Sequence, residues 1–228
     1  MNVDSLNDIA SAIVSPGKGI LAADESTPTI KKRFDSIGVD STEENRKNYR
    51  NMLFTTQGVN KYISGVILFD ETIRQQSPSG LSMVEVLTKA GMIPGIKVDK
   101  GAKALANASS ETVTEGLDGL RERCQEYVSL GAKFAKWRAV IKIGPNIPSD
   151  LCLATNAHAL ARYAALCQET GLVPIVEPEV LMDGPHDIDQ CELVTENALK
   201  ALYHELHQQH VVLEGTLLKP NMVISGTE

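Results

Sequence analysis

The stretch FAKWRAVIKI, Phe134–Ile143, decides how this 228-residue chain is read. It is apolar enough to lie inside a sheet, yet Lys136 and Arg138 interrupt it two residues apart. Side chains alternate across a strand with a period of two, so both cations point to one face. Five further runs have the same character: GILAAD (Gly19–Asp24), VILFDE (Val66–Glu71), IPGIKVD (Ile93–Asp99), VPIVEPE (Val173–Glu179) and EGTLLKPNMV (Glu214–Val223). Between them lie amphipathic stretches. Ser41-Thr-Glu-Glu44 has capping-box spacing and opens one. Others run from about 115 to 130, 149 to 170 and 187 to 209, the first two stopping at Gly131 and Gly171. The strand starts at 19, 66, 93, 134, 173 and 214 set a β-α-β-α rhythm, which predicts a parallel sheet covered by helices. A doubly wound sheet and a β/α barrel both satisfy it. Pro16-Gly17-Lys18-Gly19 precedes a strand, lacks the third glycine of a dinucleotide fingerprint, and is no P-loop. The barrel is favoured.

Composition narrows the function. Lys plus Arg number 22 and Asp plus Glu 29, a net charge of −7, which argues against nucleic acid or an anionic membrane as partner. The N-terminus carries acid and no apolar h-region, and no apolar run reaches the ~20 residues of a membrane span. Cys124, Cys152, Cys167 and Cys191 are widely spaced and fall in helix-like segments, as reduced, buried thiols of a cytoplasmic protein would. His204, His207 and His210 invite a metal reading, but spacings of three and six spread around a helix. No catalytic metal or cofactor is expected.

The charged residues sit at or near the C-terminal ends of the strands. Lys97 and Asp99 share a face, as do Lys136 with Arg138 and Glu177 with Glu179; Asp24 ends its run, and Lys219 stands between Leu218 and Pro220. Barrel enzymes build their sites at that end, from the tips of several strands. Ions inside a sheet are costly unless paired or used. The chemistry they suit is covalent catalysis by an amine. Partial burial and the neighbouring cations Lys136 and Arg138 are expected to favour the neutral, nucleophilic form of Lys219. Glu177, Glu179 and Asp24 are the carboxylates available for proton transfer.

Five motifs carry a resemblance along almost the whole chain: GILAADES (Gly19–Ser26), GIKVDKG (Gly95–Gly101), FAKWR (Phe134–Arg138), PIVEPE (Pro174–Glu179) and LEGTLLKPN (Leu213–Asn221). The chain closely resembles class I fructose-bisphosphate aldolase, the Schiff-base, metal-independent family. The resemblance implies that Lys219 forms the Schiff base, that Glu177 is its acid/base and that Asp24 handles the C4 hydroxyl. It makes Lys136 the charge stabiliser beside the imine, with Lys97, Arg138 and Glu179 as polar lining, and gives Arg33, Arg46 and Ser26 to substrate phosphate. The implied substrate is a sugar phosphate, fructose 1,6-bisphosphate, cleaved reversibly to dihydroxyacetone phosphate and glyceraldehyde 3-phosphate in glycolysis and gluconeogenesis. The implied assembly is a homotetramer.

Two departures stand out. Thr27-Pro28-Thr29 replaces the family's glycine and serine, and Pro28 is expected to stiffen that loop. The chain also ends nine residues after Lys219, with six strands rather than eight. Residues 1–228 are therefore expected to form one incomplete β/α-barrel domain, a fragment without the last two β/α units and the C-terminal tail. A catalytically silent piece that binds a partner is the alternative, and a transaldolase-like transferase stands further off.

Overall fold

The computed structural model describes residues 2–228. In chain order the elements are α1 (Val3–Ile13), β1 (Gly19–Ala23), α2 (Thr27–Asp35), α3 (Glu43–Thr55), β2 (Ile63–Leu68), α4 (Asp70–Ile73), α5 (Met83–Lys89) and β3 (Ile93–Lys97). There follow β4 (Ala102–Ala104), β5 (Thr112–Thr114), α6 (Leu120–Ser129), β6 (Phe134–Ile141), α7 (Asp150–Thr170), β7 (Val173–Val180), α8 (Ile188–Gln208) and β8 (Leu217–Leu218). One sheet runs β1-β2-β3-β6-β7-β8, every pair parallel. Strand order follows chain order without reversal. That separates it from a doubly wound sheet, whose order must reverse at a switch point. The sheet curls, because β1 and β8 both line one cavity of about 410 Å³. The architecture is a partial TIM barrel of six β/α units.

Alternation assigns each strand residue to one of two cores. Val66, Leu68, Ile96, Ala135, Trp137 and Val176 face outward, into a cluster shared with Leu160, Tyr163 and Cys167 of α7. Trp137 stacks on Tyr163 with ring centroids 5.4 Å apart. Ile67, Phe134, Val173 and Ile175 face inward and pack with Leu6, Ala10 and Ile13 of α1, which plugs the N-terminal end of the arc. Asn2 caps α1 through Ser5 N–H. The inner face therefore changes character along each strand. Phe134 gives way to Lys136 and Arg138, Val173 and Ile175 to Glu177 and Glu179, and Ile93 to Lys97. Apolar residues fill one end and ions gather at the other.

Helix and strand bounds differ from expectation in instructive ways. Thr42, not Ser41, caps α3, accepting from Asn45 N–H. Ser149 and Asp187 cap α7 and α8, and Gly171 closes α7 with φ 87°. The helix expected from about 115 begins only at Leu120, after Gly116 and Gly119 adopt positive φ. Pro28 lies not in a loop but in the first turn of α2, where a missing N–H has no intrahelical partner to lose. The last strand shrinks to Leu217–Leu218. The β4–β5 hairpin was not foreseen, its runs being only three residues each.

Two inner-face glycines make room for the Phe134 ring. A methyl at Gly65 would approach it to 3.1 Å, and one at Gly95 would overlap it outright. Gly95→Ala is therefore expected to overpack the inner core and lower stability by about 1–3 kcal/mol. Urea unfolding measures this, and an unchanged midpoint would show that the inner core can relax around the methyl.

Candidate active site

The strand tips bring four of the expected residues into one connected cluster. Lys136, mid-strand in β6, sits with its Nζ 3.3 Å from Asp24 Oδ2, just past β1. The same ammonium lies 3.2 Å from Glu177 Oε2 on β7. Glu177 accepts a hydrogen bond on its other oxygen, Oε1, from Lys219 Nζ at the end of β8. Asp24, Lys136 and Glu177 are all buried, Glu177 to 2% exposure. Lys219 is not: its side chain is 53% exposed. About half of that side chain is thus covered, and Glu177 is the group its amine meets. Main-chain pairing still fixes its place, since Lys219 N–H donates to Val176 O at 3.0 Å.

The remaining expected residues surround this cluster at different depths. Arg138 and Glu179 form an ion pair on the outer rim, one turn of the pleat beyond Lys136 and Glu177. Lys97 is in register with Lys136, and its Nζ rests 5.8 Å from the centre of the Phe69 ring. Ser26 N-caps α2, its hydroxyl 3.0 Å from that of Thr29. Ser26, Pro28, Lys97 and Asp99 all line a cavity of about 590 Å³. Arg33 is paired with Glu25 at the surface. Arg46 stands apart, with its guanidinium forked onto Glu71 at 2.7–3.0 Å, and would reach a phosphate only by releasing that carboxylate. His204, His207 and His210 are exposed at and beyond the end of α8. Among the described residues, no group of three or more His, Cys, Asp or Glu is placed to hold a metal. The four cysteines are buried free thiols.

Electrostatics divide the buried groups into two kinds. Burial works to lower the Lys136 pKa, but Asp24, Glu177 and Asp99 outweigh it and hold the ammonium above the ordinary lysine value. Its contribution to stability is therefore complete below that ordinary value and lost only as pH rises through the folded one. Asp99 goes the costly way. Burial raises its carboxyl above 3.8 despite Lys97, Lys136 and the Gly101 N–H. Its Oδ2 is buried without a hydrogen-bond partner. In the sequence Asp99 shares a face with Lys97, and a carboxylate two residues past a half-buried cation is the signal that places it beside the cluster.

Because its folded pKa is raised, Asp99 binds its proton more tightly in the folded protein, and its ionisation costs stability once pH exceeds the unfolded value. Asp99→Asn is expected to raise the urea midpoint at pH 7. The gain should vanish towards pH 3, where both proteins are neutral at this position. Equal midpoints at the two pH values would show that the charge is tolerated without cost.

Comparison with known proteins agrees with this geometry. The chain matches the class-I fructose-bisphosphate aldolase family over residues 5–228. It is 62% identical over 226 residues to a probable fructose-bisphosphate aldolase class 1 of Xanthomonas axonopodis pv. citri (strain 306), covering 99% of this chain and 68% of that one. It is 60% identical to the cytosolic fructose-bisphosphate aldolase 4 of Arabidopsis thaliana, covering 96% of this chain and 56% of that one. The fructose-bisphosphate aldolase of Plasmodium falciparum, solved in complex with TRAP and a small-molecule inhibitor, superposes with a TM-score of 0.97 at 52% identity. That match takes in 99% of this chain and 66% of the solved one, so the chain spans roughly two thirds or less of the length of these relatives. With six ordered β/α units and the lysine–carboxylate cluster at their tips, the chain belongs to the class I fructose-bisphosphate aldolase family.

Proposed function

We propose that this chain carries out the aldol chemistry of its family, cleaving fructose 1,6-bisphosphate reversibly through a Schiff base on Lys219. The observation that carries the reading is the unbroken contact chain Lys219–Glu177–Lys136–Asp24, which joins an amine, two carboxylates and a fixed cation. Only a neutral amine attacks a carbonyl, so Lys219 must first give up a proton, and Glu177 Oε1 is the acceptor it already touches. Attack on C2 gives a carbinolamine. Glu177 returns a proton to the departing hydroxyl, water leaves, and a protonated imine remains. Asp24 then takes the proton of the C4 hydroxyl as the C3–C4 bond breaks. The bonding electrons pass into the imine, which becomes an enamine, and glyceraldehyde 3-phosphate departs. Protonation at C3 and hydrolysis release dihydroxyacetone phosphate and restore the amine.

Lys136 serves every step without moving a proton. Its charge lies between Asp24 and Glu177 and stands against negative charge developing near the imine. The cavity lined by Lys97, Lys100 and Ser26 is the natural seat for one phosphate. Arg138 and Glu179 form the polar rim beyond Glu177. We infer a cytoplasmic setting from the reduced cysteines and the cytosolic relative. No described helix is long and apolar enough to cross a membrane.

Incubation with dihydroxyacetone phosphate followed by borohydride is expected to leave a reduced adduct on Lys219, located by peptide mass mapping. Lys219→Met should abolish it, and Glu177→Gln should slow its formation by about 10²-fold. A strong chelator should change neither trapping nor cleavage. Folded protein with Lys219 unmodified would overturn the reading in favour of a silent binding piece.

A further inference from the structure

Arg50 is the buried charge that the aldol chemistry does not use. It lies on α3 at 0% exposure, and burial presses its guanidinium towards the neutral form, opposed by Glu25 and Glu71. Nη2 donates to the main-chain oxygen of Glu25 at 2.7 Å and lies 3.9 Å from Glu25 Oε2. Nε and Nη1 have no hydrogen-bond partner, and the guanidinium carbon sits 5.6 Å from the centre of the Phe69 ring. An arginine kept only for packing would be better replaced by an apolar side chain, since a buried charge is retained at a cost. What Arg50 holds explains its retention. Glu25 follows Asp24 directly, at the point where β1 gives way to α2, and no strand pairing extends past Ala23.

The hold has two prongs. Arg46 and Arg50 stand four residues apart on one face of α3. The first grips Glu71 beyond β2, and the second grips Glu25 beyond β1. One helix thus brackets the ends of two adjacent strands. Phe69 lies in the same bracket, against both Arg50 and Lys97. Arg33 pairs with Oε1 of the Glu25 carboxylate, and Arg50 approaches Oε2 of the same group.

We propose that Arg50 is a positioning residue for Asp24: it anchors the Asp24–Glu25 turn from beneath, so that the Asp24 carboxylate stays against Lys136 and within reach of the C4 hydroxyl. The proposal rests on Asp24 acting as the C4 base. Asp24 is needed to break the C3–C4 bond but not to form the imine with dihydroxyacetone phosphate. Loosening its turn must therefore separate two activities that general destabilisation would lower together.

Arg50→Met and Arg50→Lys supply the test, Lys keeping the charge and a donor and carrying the comparison where Met does not fold. In Arg50→Met, kcat for cleavage should fall by about tenfold to a hundredfold, as expected for displacement of a catalytic group. Trapping on Lys219 by dihydroxyacetone phosphate and borohydride should stay within about twofold of the parent, since that step is independent of Asp24. Amide exchange across residues 21–29 should quicken by about tenfold, with β6 and β7 unchanged, and Arg50→Lys should recover part of both losses. Unchanged exchange over residues 21–29 would overturn the proposal, as would a parallel fall in cleavage and trapping. A parent protein that neither traps nor cleaves would defeat the Schiff-base reading instead, and exchange alone would then decide whether Arg50 anchors the turn.

Discussion

The buried ammonium of Lys136 is the constraint to which the other parts of the site conform. It reaches Asp24 on one side and Glu177 on the other, so a single charge ties β6 to the ends of β1 and β7. A lysine this deep is tolerated only with close anionic partners, and removing either partner would strand a charge. The three residues are therefore a structural triad, whatever chemistry is proposed for them. The curl of the sheet follows from the same contact, because β1 and β6 are not neighbours in it and can meet only across the inside of an arc.

Such a triad needs a dry, rigid base, and the inner core supplies it. Phe134 lies two residues before Lys136 on the same face, and its ring fills the space left by Gly65 on β2 and Gly95 on β3. Close packing at that level transmits position upward along the strands, since protein interiors yield little. On the outer face Trp137 is held by Tyr163 of α7, which fixes the rotation of β6 about its own axis. Lys136 thus stands between two packed aromatic side chains, one on either face. Its aim is set by neighbours that take no part in the chemistry.

Much of this was legible in the chain. The period-two placement of Lys136 with Arg138 and of Glu177 with Glu179 read directly as inward-facing pairs, and strand pairing confirms their shared face. The β-α rhythm reads as a parallel sheet but fits a doubly wound order as well as the sequential one found. What could not be read was set by tertiary context. The register of the α3 cap, Thr42 over Ser41, depends on which hydroxyl meets an amide three residues on, and both have that spacing available. Pro28 reads equally as a loop stiffener or a first-turn residue until the path of β1 is known. Arg50 was hidden for a better reason. Arg46, Arg50 and Phe54 follow at intervals of four, and two arginines in that row read as a solvated helix margin. Only the Glu25 carbonyl waiting above it turns that margin into an interior contact.

The contact between Lys219 and Glu177 bears on how the amine is activated in the proposed reaction. Partial burial and neighbouring cations are the two routes to a neutral amine that the sequence suggests. A third route, the one the proposed mechanism takes, is proton transfer to Glu177, the carboxylate already in contact. Two lysine amines share the Glu177 carboxylate, one half-exposed, the other buried. In the proposed mechanism, turning the Lys219 amine into an imine leaves Glu177 with Lys136 as its partner, so that the carboxylate is never alone in the interior. The buried cation would thereby let one carboxylate serve as base before the imine forms and as acid while water leaves. Asp24 touches the same ammonium, which places a single lysine between the two carboxylates to which that mechanism gives its proton transfers.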